Sequence, residues 1–293
     1  MDSLQQAQLF AARGKVVQLT VSYWRAHSPR SLGLPQAFSK DEWRKLLVLP
    51  SFCVSKLRKI EKDFHSNLAF YSYDLGIIGH FMTDQSRFEW GKKHQEILKR
   101  FEEQRDWVAG NYDNLRGQAM QVGRQIAIED WKQLYPGKGD PTESFITECG
   151  RRVIETIPSK KQIFDGFTVK TLWVSLGEEN LATEAAALDF LGDIAGQFRE
   201  RVEALCLGIL KEAKARRRLR YNYLEGFFRR LNGIEAVFFF ENQPVASVID
   251  RMKKIGISEQ DKDHAELICL SRELMVEVVP NFSEEQLAGL IGK

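Results

Sequence analysis

The sequence predicts a mainly α protein: long antiparallel heptad-bearing helices forming an elongated bundle, with a small mixed α/β cap. Three observations predict this. Prolines stand only at 29, 35, 50, 136, 141, 158, 244 and 280, which leaves two 85-residue stretches without one. Both stretches are rich in Leu, Glu, Lys, Arg, Ala and Gln, residues that lose little in a helix, whereas an interior proline removes a hydrogen bond and clashes with the preceding turn. Within each stretch apolar residues recur seven apart, the spacing of helices packed along a nearly straight seam.

Taken in order, Val17, Leu19, Val21 and Tyr23 alternate with Gln18, Thr20 and Ser22, so a half-buried strand is expected there. One strand does not stand alone, and its partner is expected at 236–241 or 276–279. Val54, Leu57, Ile60, Phe64 and Leu68 share one helical face. Tyr71 to Met82 sets Gly76 and Gly79 among bulky apolar residues, which predicts a packed turn, and Thr83 or Asp84 suits the cap of the next helix. Phe101, Val108, Leu115 and Val122 then fall seven apart, with Tyr112, Ala119 and Ile126 as the companion row. This predicts one rod of roughly 30 residues and about 45 Å. Gly110, Gly117 and Gly123 each weaken it by about 1 kcal/mol relative to alanine, so packing has to hold it.

Asp140, Pro141 and Glu143 predict a helix start after the connector 135–140. Asp165-Gly166 between Ile163, Phe164, Phe167 and Val169 predicts a small hairpin. A second long helix is expected from near Glu178, with Leu191, Phe198 and Leu205 in one row and Leu188, Ala195, Val202 and Ile209 in the other. Ser283 followed three residues later by Gln286 predicts a last short helix. The order divides into an N-terminal strand and helix segment over 1–50, a long-helix bundle over 51–235 and a small C-terminal α(+β) cap over 236–293. Packing the two seams on each other, or in a homodimer, satisfies both.

With 43% hydrophobic and 28% charged residues the chain has the balance of a folded domain. A net charge of +2 excludes a whole-molecule field that compels binding to nucleic acid or an anionic membrane. Cys53, Cys149, Cys206 and Cys269 stand too far apart for a CxxC redox pair, a zinc knuckle or a disulfide framework, and they read as reduced thiols. The start has no basic-then-apolar run, and no window approaches 18 uncharged apolar residues. A cytoplasmic protein with no membrane partner is therefore expected. The histidines at 27, 65, 80, 94 and 264 form neither HExxH nor a pair four apart, so no metal and no other cofactor is expected. Gly137-Lys138-Gly139-Asp140 lacks the spacing that wraps a phosphate, and His264 and Cys269 fall on different faces of a helix. No catalytic residues are expected, and an enzyme would require a site the sequence does not display.

The strongest charge feature runs from 211 to 230. Lys211, Lys214, Arg216, Arg217, Arg218, Arg220, Arg229 and Arg230 face only Glu212 and Glu225, and Tyr221, Tyr223, Phe227 and Phe228 interleave with them. The cations together with Tyr221 and Tyr223 are the candidate partner- or nucleic-acid-binding residues. Three readings stay open: a solvated helix face with core aromatics, a surface for an acidic protein, and a groove for nucleic acid. The run begins where the second seam stops, so something other than the facing helix is free to cover it.

The opening Val17-Gln18-Leu19-Thr20-Val21-Ser22-Tyr23-Trp24, the helix from Leu57 to Leu68 running into Gly79-His80-Phe81, and Phe101, Trp107 and Tyr112 before Trp131 carry a resemblance. Over about residues 13 to 134 the chain resembles an uncharacterised helical bacterial family, a domain of unknown function. Its members are encoded on plasmids and genomic islands near MoxR-type AAA+ ATPases and von Willebrand A-domain proteins. The resemblance implies a helical fold, a mobile-element or defence context, and an AAA+ ATPase or von Willebrand A-domain protein as partner. It carries no catalytic residues across. The function expected is a non-enzymatic scaffold or adaptor subunit of a multiprotein assembly. The alternative is a nucleic-acid-binding subunit using 211–230.

Overall fold

The computed structural model describes residues 3–24, 51–155, 157–176, 183–215, 219–237, 243–257 and 261–278. In chain order these form α1 (Ser3–Ala11), β1 (Gly14–Ser22), α2 (Ser51–Tyr71), β2 (Tyr73–Asp74), β3 (His80–Thr83), α3 (Asp84–Gly110) and α4 (Tyr112–Leu134). Then follow α5 (Glu143–Glu155), α6 (Lys160–Gly166), β4 (Thr168–Val174), α7 (Glu184–Ala215), α8 (Tyr221–Val237), α9 (Gln243–Ile255) and α10 (Asp261–Val278). The protein is mainly helical, and the described strands form one small sheet in the order β2-β3-β1-β4. β3 runs antiparallel to both β1 and β2, with Phe81 opposite Val16 on one side and Tyr73 on the other.

The expected strand is present, but its pairing differs from expectation. Residues 236–237 close α8 and 276–278 close α10, while 238–241 and 279 lie outside the described residues. The neighbours of β1 are β4 and β3, and β3 comes from the glycine-bearing turn, whose flanks are strands of two and four residues. Segments that short show no alternation to read. The expected rod is two helices, interrupted at Asn111 (φ −98°, ψ 10°). Asn111 follows Gly110, and its side-chain amide donates to the Trp107 carbonyl at 2.8 Å, a local bond that competes with helix continuation. The expected hairpin at 163–169 is the end of α6 followed by β4. Ser159 and Gln162 form a reciprocal capping box, which starts a helix there and leaves Asp165-Gly166 to end it. The helix expected from Asp140 begins at Glu143, with the Thr142 hydroxyl accepting from the Phe145 N–H. Thr83 caps α3, accepting from the Ser86 N–H. The predicted helix at 282–287 lies outside the described residues.

The chain divides into two compact units, each assembled from separated stretches. One is drawn from Met1–Gln18, Asn67–Lys92 and Leu172–Lys293. Its spine is α7, which buries Ala187, Phe190, Ile194, Phe198, Val202, Leu205 and Ile209 at steps of three and four against α1, α8 and α10. Leu188, expected in the seam, is 52% exposed, because the buried stripe starts one residue earlier at Ala187. α7 opens at Glu184, capped by the Thr183 hydroxyl, and the start expected near Glu178 lies outside the described residues. Phe10, Phe81 and Phe190 meet with ring centroids 4.7 to 5.7 Å apart. Arg201 donates to the carbonyls of Ala69, Phe70 and Ser72, where α2 ends.

The other unit comprises Leu19–Ser66 and Lys93–Thr171. Its core joins Leu57, Ile60 and Phe64 of α2 to Phe101 and Val108 of α3, Tyr112, Leu115 and Ala119 of α4, and Val153 of α5. The described members of the first heptad rows are therefore buried here, whereas Phe198, Val202, Leu205 and Ile209 line the core of the other unit. The side chains of Val122 and Ile126 are outside the description. α5 packs along α4 through two glycines: a Cβ at Gly123 would lie 2.6 Å from Val153 Cγ2, and one at Gly150 would lie 2.9 Å from Arg124 Cγ.

Thiol reactivity tests this packing. Cys53, Cys149 and Cys206 are buried and Cys269 is exposed. Burial pushes the Cys206 thiol up to about 12 and raises Cys53 as well, partly opposed there by the Gln104 amide and Lys56. The thiolate is the nucleophile, so a raised pKa slows alkylation beyond what exclusion alone does. Native protein treated with iodoacetamide is expected to gain one adduct, at Cys269, and four after denaturation. A second native adduct by intact mass contradicts the packing.

Candidate interaction surface

The basic segment enters the structure at the end of α7 and continues along α8. Lys211 and Lys214 stand exposed on the last turns of α7. Arg216, Arg217 and Arg218 lie outside the described residues. Leu219 is buried, and Arg220 reaches back to Glu212 at 3.2 Å. Along α8, Leu224, Phe227, Phe228 and Leu231 are buried, a three-and-four spacing that turns one face of the helix into the core.

That helical phase sorts the interleaved aromatics. Phe227 and Phe228 are core, and Tyr223 is half-buried with its hydroxyl against Gly208 of α7. Burial pushes the Tyr223 phenol up to about 12, with Arg230 opposing and Glu212 and Cys206 reinforcing. Tyr221, 56% exposed, is the outward aromatic of the described segment. Arg229 and Arg230 are adjacent and so point about 100° apart around the helix. The field of Arg230 acts on Tyr223, and that of Arg229 on Tyr71.

Arg229 lines a groove of about 760 Å³ between the end of α2, the start of α3, α8 and the end of α9. Tyr71, Phe88, Glu89, Glu225, Asn232 and Lys253 contribute to its walls. Much of the charge is already paired: Lys253 holds both oxygens of Glu235 at 2.8 and 2.7 Å, and Lys92 holds Glu89 at 2.9 Å. Burial raises the Tyr71 phenol, Glu89 adds to this, and Arg229 opposes it. The phenol is therefore a hydrogen-bond donor at neutral pH, and the arrangement is equipped to bind. Among the described residues no three His, Cys, Asp or Glu side chains converge as a metal site, and no helix is long and apolar enough to cross a membrane.

Of the groove's residues the sequence singled out Arg229 as a candidate. Tyr71, Glu89, Asn232 and Lys253 come from four separate helices, and only the spacing of Glu225, Arg229 and Asn232 along one face of α8 hints at their company. Compared with protein families, curated proteins and solved structures, the chain finds no match.

Proposed function

We propose that this chain is a non-enzymatic scaffold or adaptor subunit of a multiprotein assembly, and that the end of α7 and α8 present a surface for an acidic protein. The observation that carries this reading is a set of exposed cations without ion-pair partners among the described residues: Lys211, Lys214, Arg229 and Arg230. Unpaired surface cations attract and orient a carboxylate-bearing partner. Single-stranded nucleic acid would use several aromatic platforms, and the inward turn of Tyr223, Phe227 and Phe228 leaves Tyr221 for that purpose. This favours protein over nucleic acid. An elongated bundle of antiparallel heptad-packed helices, in one chain or a homodimer, belongs to the proposal, as does a cytoplasmic location. On the resemblance of residues 13 to 134, the proposed setting is a mobile-element or defence system and the proposed partner an AAA+ ATPase or von Willebrand A-domain protein.

A tagged pull-down with and without nuclease tests the reading. An acidic protein is expected to survive nuclease and to be released by rising salt. The triple variant Lys211→Glu, Lys214→Glu, Arg230→Glu should bind it roughly tenfold more weakly, at ~0.5 kcal/mol for each exposed pair, with an unchanged melting temperature. If everything captured disappears with nuclease, the chain is instead a nucleic-acid-binding subunit. Undiminished binding by the triple variant removes the α7 and α8 surface from the account.

A further inference from the structure

The groove beside Arg229 lies within one compact unit, and its charges divide into a closed set and an open pair. Its walls carry the carboxylates of Glu89, Glu225 and Glu235 and the cations of Arg229 and Lys253, and Lys92 reaches in to Glu89. With Lys92 included, three acids meet three bases, so among the described residues the groove carries no net charge to draw in an anion such as a nucleotide, or a polycation. Lys92 is closed on Glu89 at 2.9 Å, and Lys253 on Glu235 at 2.7 Å. Glu225 and Arg229 remain. They stand four residues apart on one face of α8, acid before base, the order that favours pairing, yet neither joins an ion pair among the described residues.

The rest of the lining is largely apolar. Phe228 is 8% exposed and supplies the floor, whereas Phe88 at 67% and Ile257 at 42% stand open in the walls. The Lys92 ammonium lies 4.1 Å from the Phe88 ring centroid. The field of Arg229 reaches the Tyr71 hydroxyl, so a carboxylate held by the guanidinium lies near a second donor. Asn232, three residues beyond Arg229 on the same face, offers an amide that both donates and accepts.

We infer that this groove binds a dipeptide with free ends and apolar side chains, its ammonium on Glu225 and its carboxylate on Arg229. An open pair of opposite charges in a groove of no net charge selects a ligand that itself carries both. Its length follows from chain geometry. Four residues of helix advance about 6 Å, and two extended residues span about 7 Å, whereas in a single amino acid both charged groups sit on one carbon and fall short. The volume of about 760 Å³ lies in the range of roughly 300–1,000 Å³ that holds small ligands. The inference shares Arg229 with the proposed protein surface but does not rest on it, because Lys211, Lys214 and Arg230 line no part of the groove.

The test titrates leucyl-phenylalanine into the full chain by isothermal calorimetry. Saturable binding at a single site is expected, and the N-acetylated form, the C-amidated form and free phenylalanine should each bind about tenfold more weakly or worse, since each lacks a charge-assisted contact. Glu225→Gln should weaken the free dipeptide and erase its advantage over the N-acetylated form. Arg229→Gln should do the same for the C-amidated form, and both variants should keep the melting temperature of the unaltered protein. The variant carrying Lys211→Glu, Lys214→Glu and Arg230→Glu should bind the dipeptide normally, whether or not it has lost a protein partner. Absence of saturable binding at millimolar dipeptide overturns the inference, as does an affinity indifferent to either end block or to both glutamine variants. If leucyl-phenylalanine blocked at both ends binds as tightly as the free form, the groove takes an internal segment of a protein, and the inference falls as well.

Discussion

Arg201→Leu is expected to lower stability by about 3 kcal/mol, a fall in melting temperature on the order of 10 °C. The guanidinium donates to the carbonyls of Ala69, Phe70 and Ser72. These lie at the end of α2, where a helix leaves its last carbonyls unpaired and carries partial negative charge. Its central carbon also lies 5.3 Å from the Tyr73 ring centroid. Burial lowers the Arg201 pKa from its usual range, opposed by Tyr73, but an arginine stays charged in a protein. Hydrogen bonds to a charged group contribute about 1.5–3 kcal/mol each, and the desolvation of the guanidinium offsets part of their sum. Arg201→Lys should recover less than half of the loss, since one ammonium does not reproduce the planar fork that reaches three carbonyls. A thermal midpoint for Arg201→Leu within about 2 °C of the unaltered protein would leave this capping role without support.

Gly123→Ala is expected to destabilise by about 1–3 kcal/mol, although helix propensity alone predicts a gain of up to about 1 kcal/mol. The new methyl would lie 2.6 Å from Val153 Cγ2 and 3.4 Å from the Gly150 Cα. Val153 is buried, so the strain passes to the spacing of α4 and α5. Gly117, six residues earlier in the same helix, has nothing within 4 Å of the equivalent position. Gly117→Ala should therefore stabilise by up to about 1 kcal/mol. Urea denaturation of the two variants discriminates cleanly. Shifts of the same sign would show that backbone propensity, rather than the contact with Val153, governs both sites.

How far these features were legible depends on the length of the pattern that encodes each. The rows through Leu57, Phe101 and Leu115 repeat over several turns, and the structure buries them. β1 is nine residues long and shows its alternation, whereas β2 and β3 offer two and four residues, too few for a period. At 163–169 a short turn signal competed with the Ser159 and Gln162 cap, and the cap prevailed because it satisfies two helix donors at once. The basic charge of 211–230 needed only counting. Which of its aromatics face outward depends on the phase of α8, set by Leu224, Phe227, Phe228 and Leu231. The groove beside Arg229 is a product of tertiary folding that joins residues 71–89 to residues 225–257.

The interleaving of the two units has a consequence for biosynthesis. α1 leaves the ribosome well before α7, against which it packs and whose first residue is Glu184. At about 5–20 residues per second, roughly 10 to 35 seconds separate the two during translation. Through that interval Ala7 and Phe10 lack the helix that covers them, while the unit ending at Thr171 receives the last of its chain shortly before α7 begins. The unit that ends at Thr171 thus has its full chain before the other unit receives α7, and α1 waits through that interval without its cover.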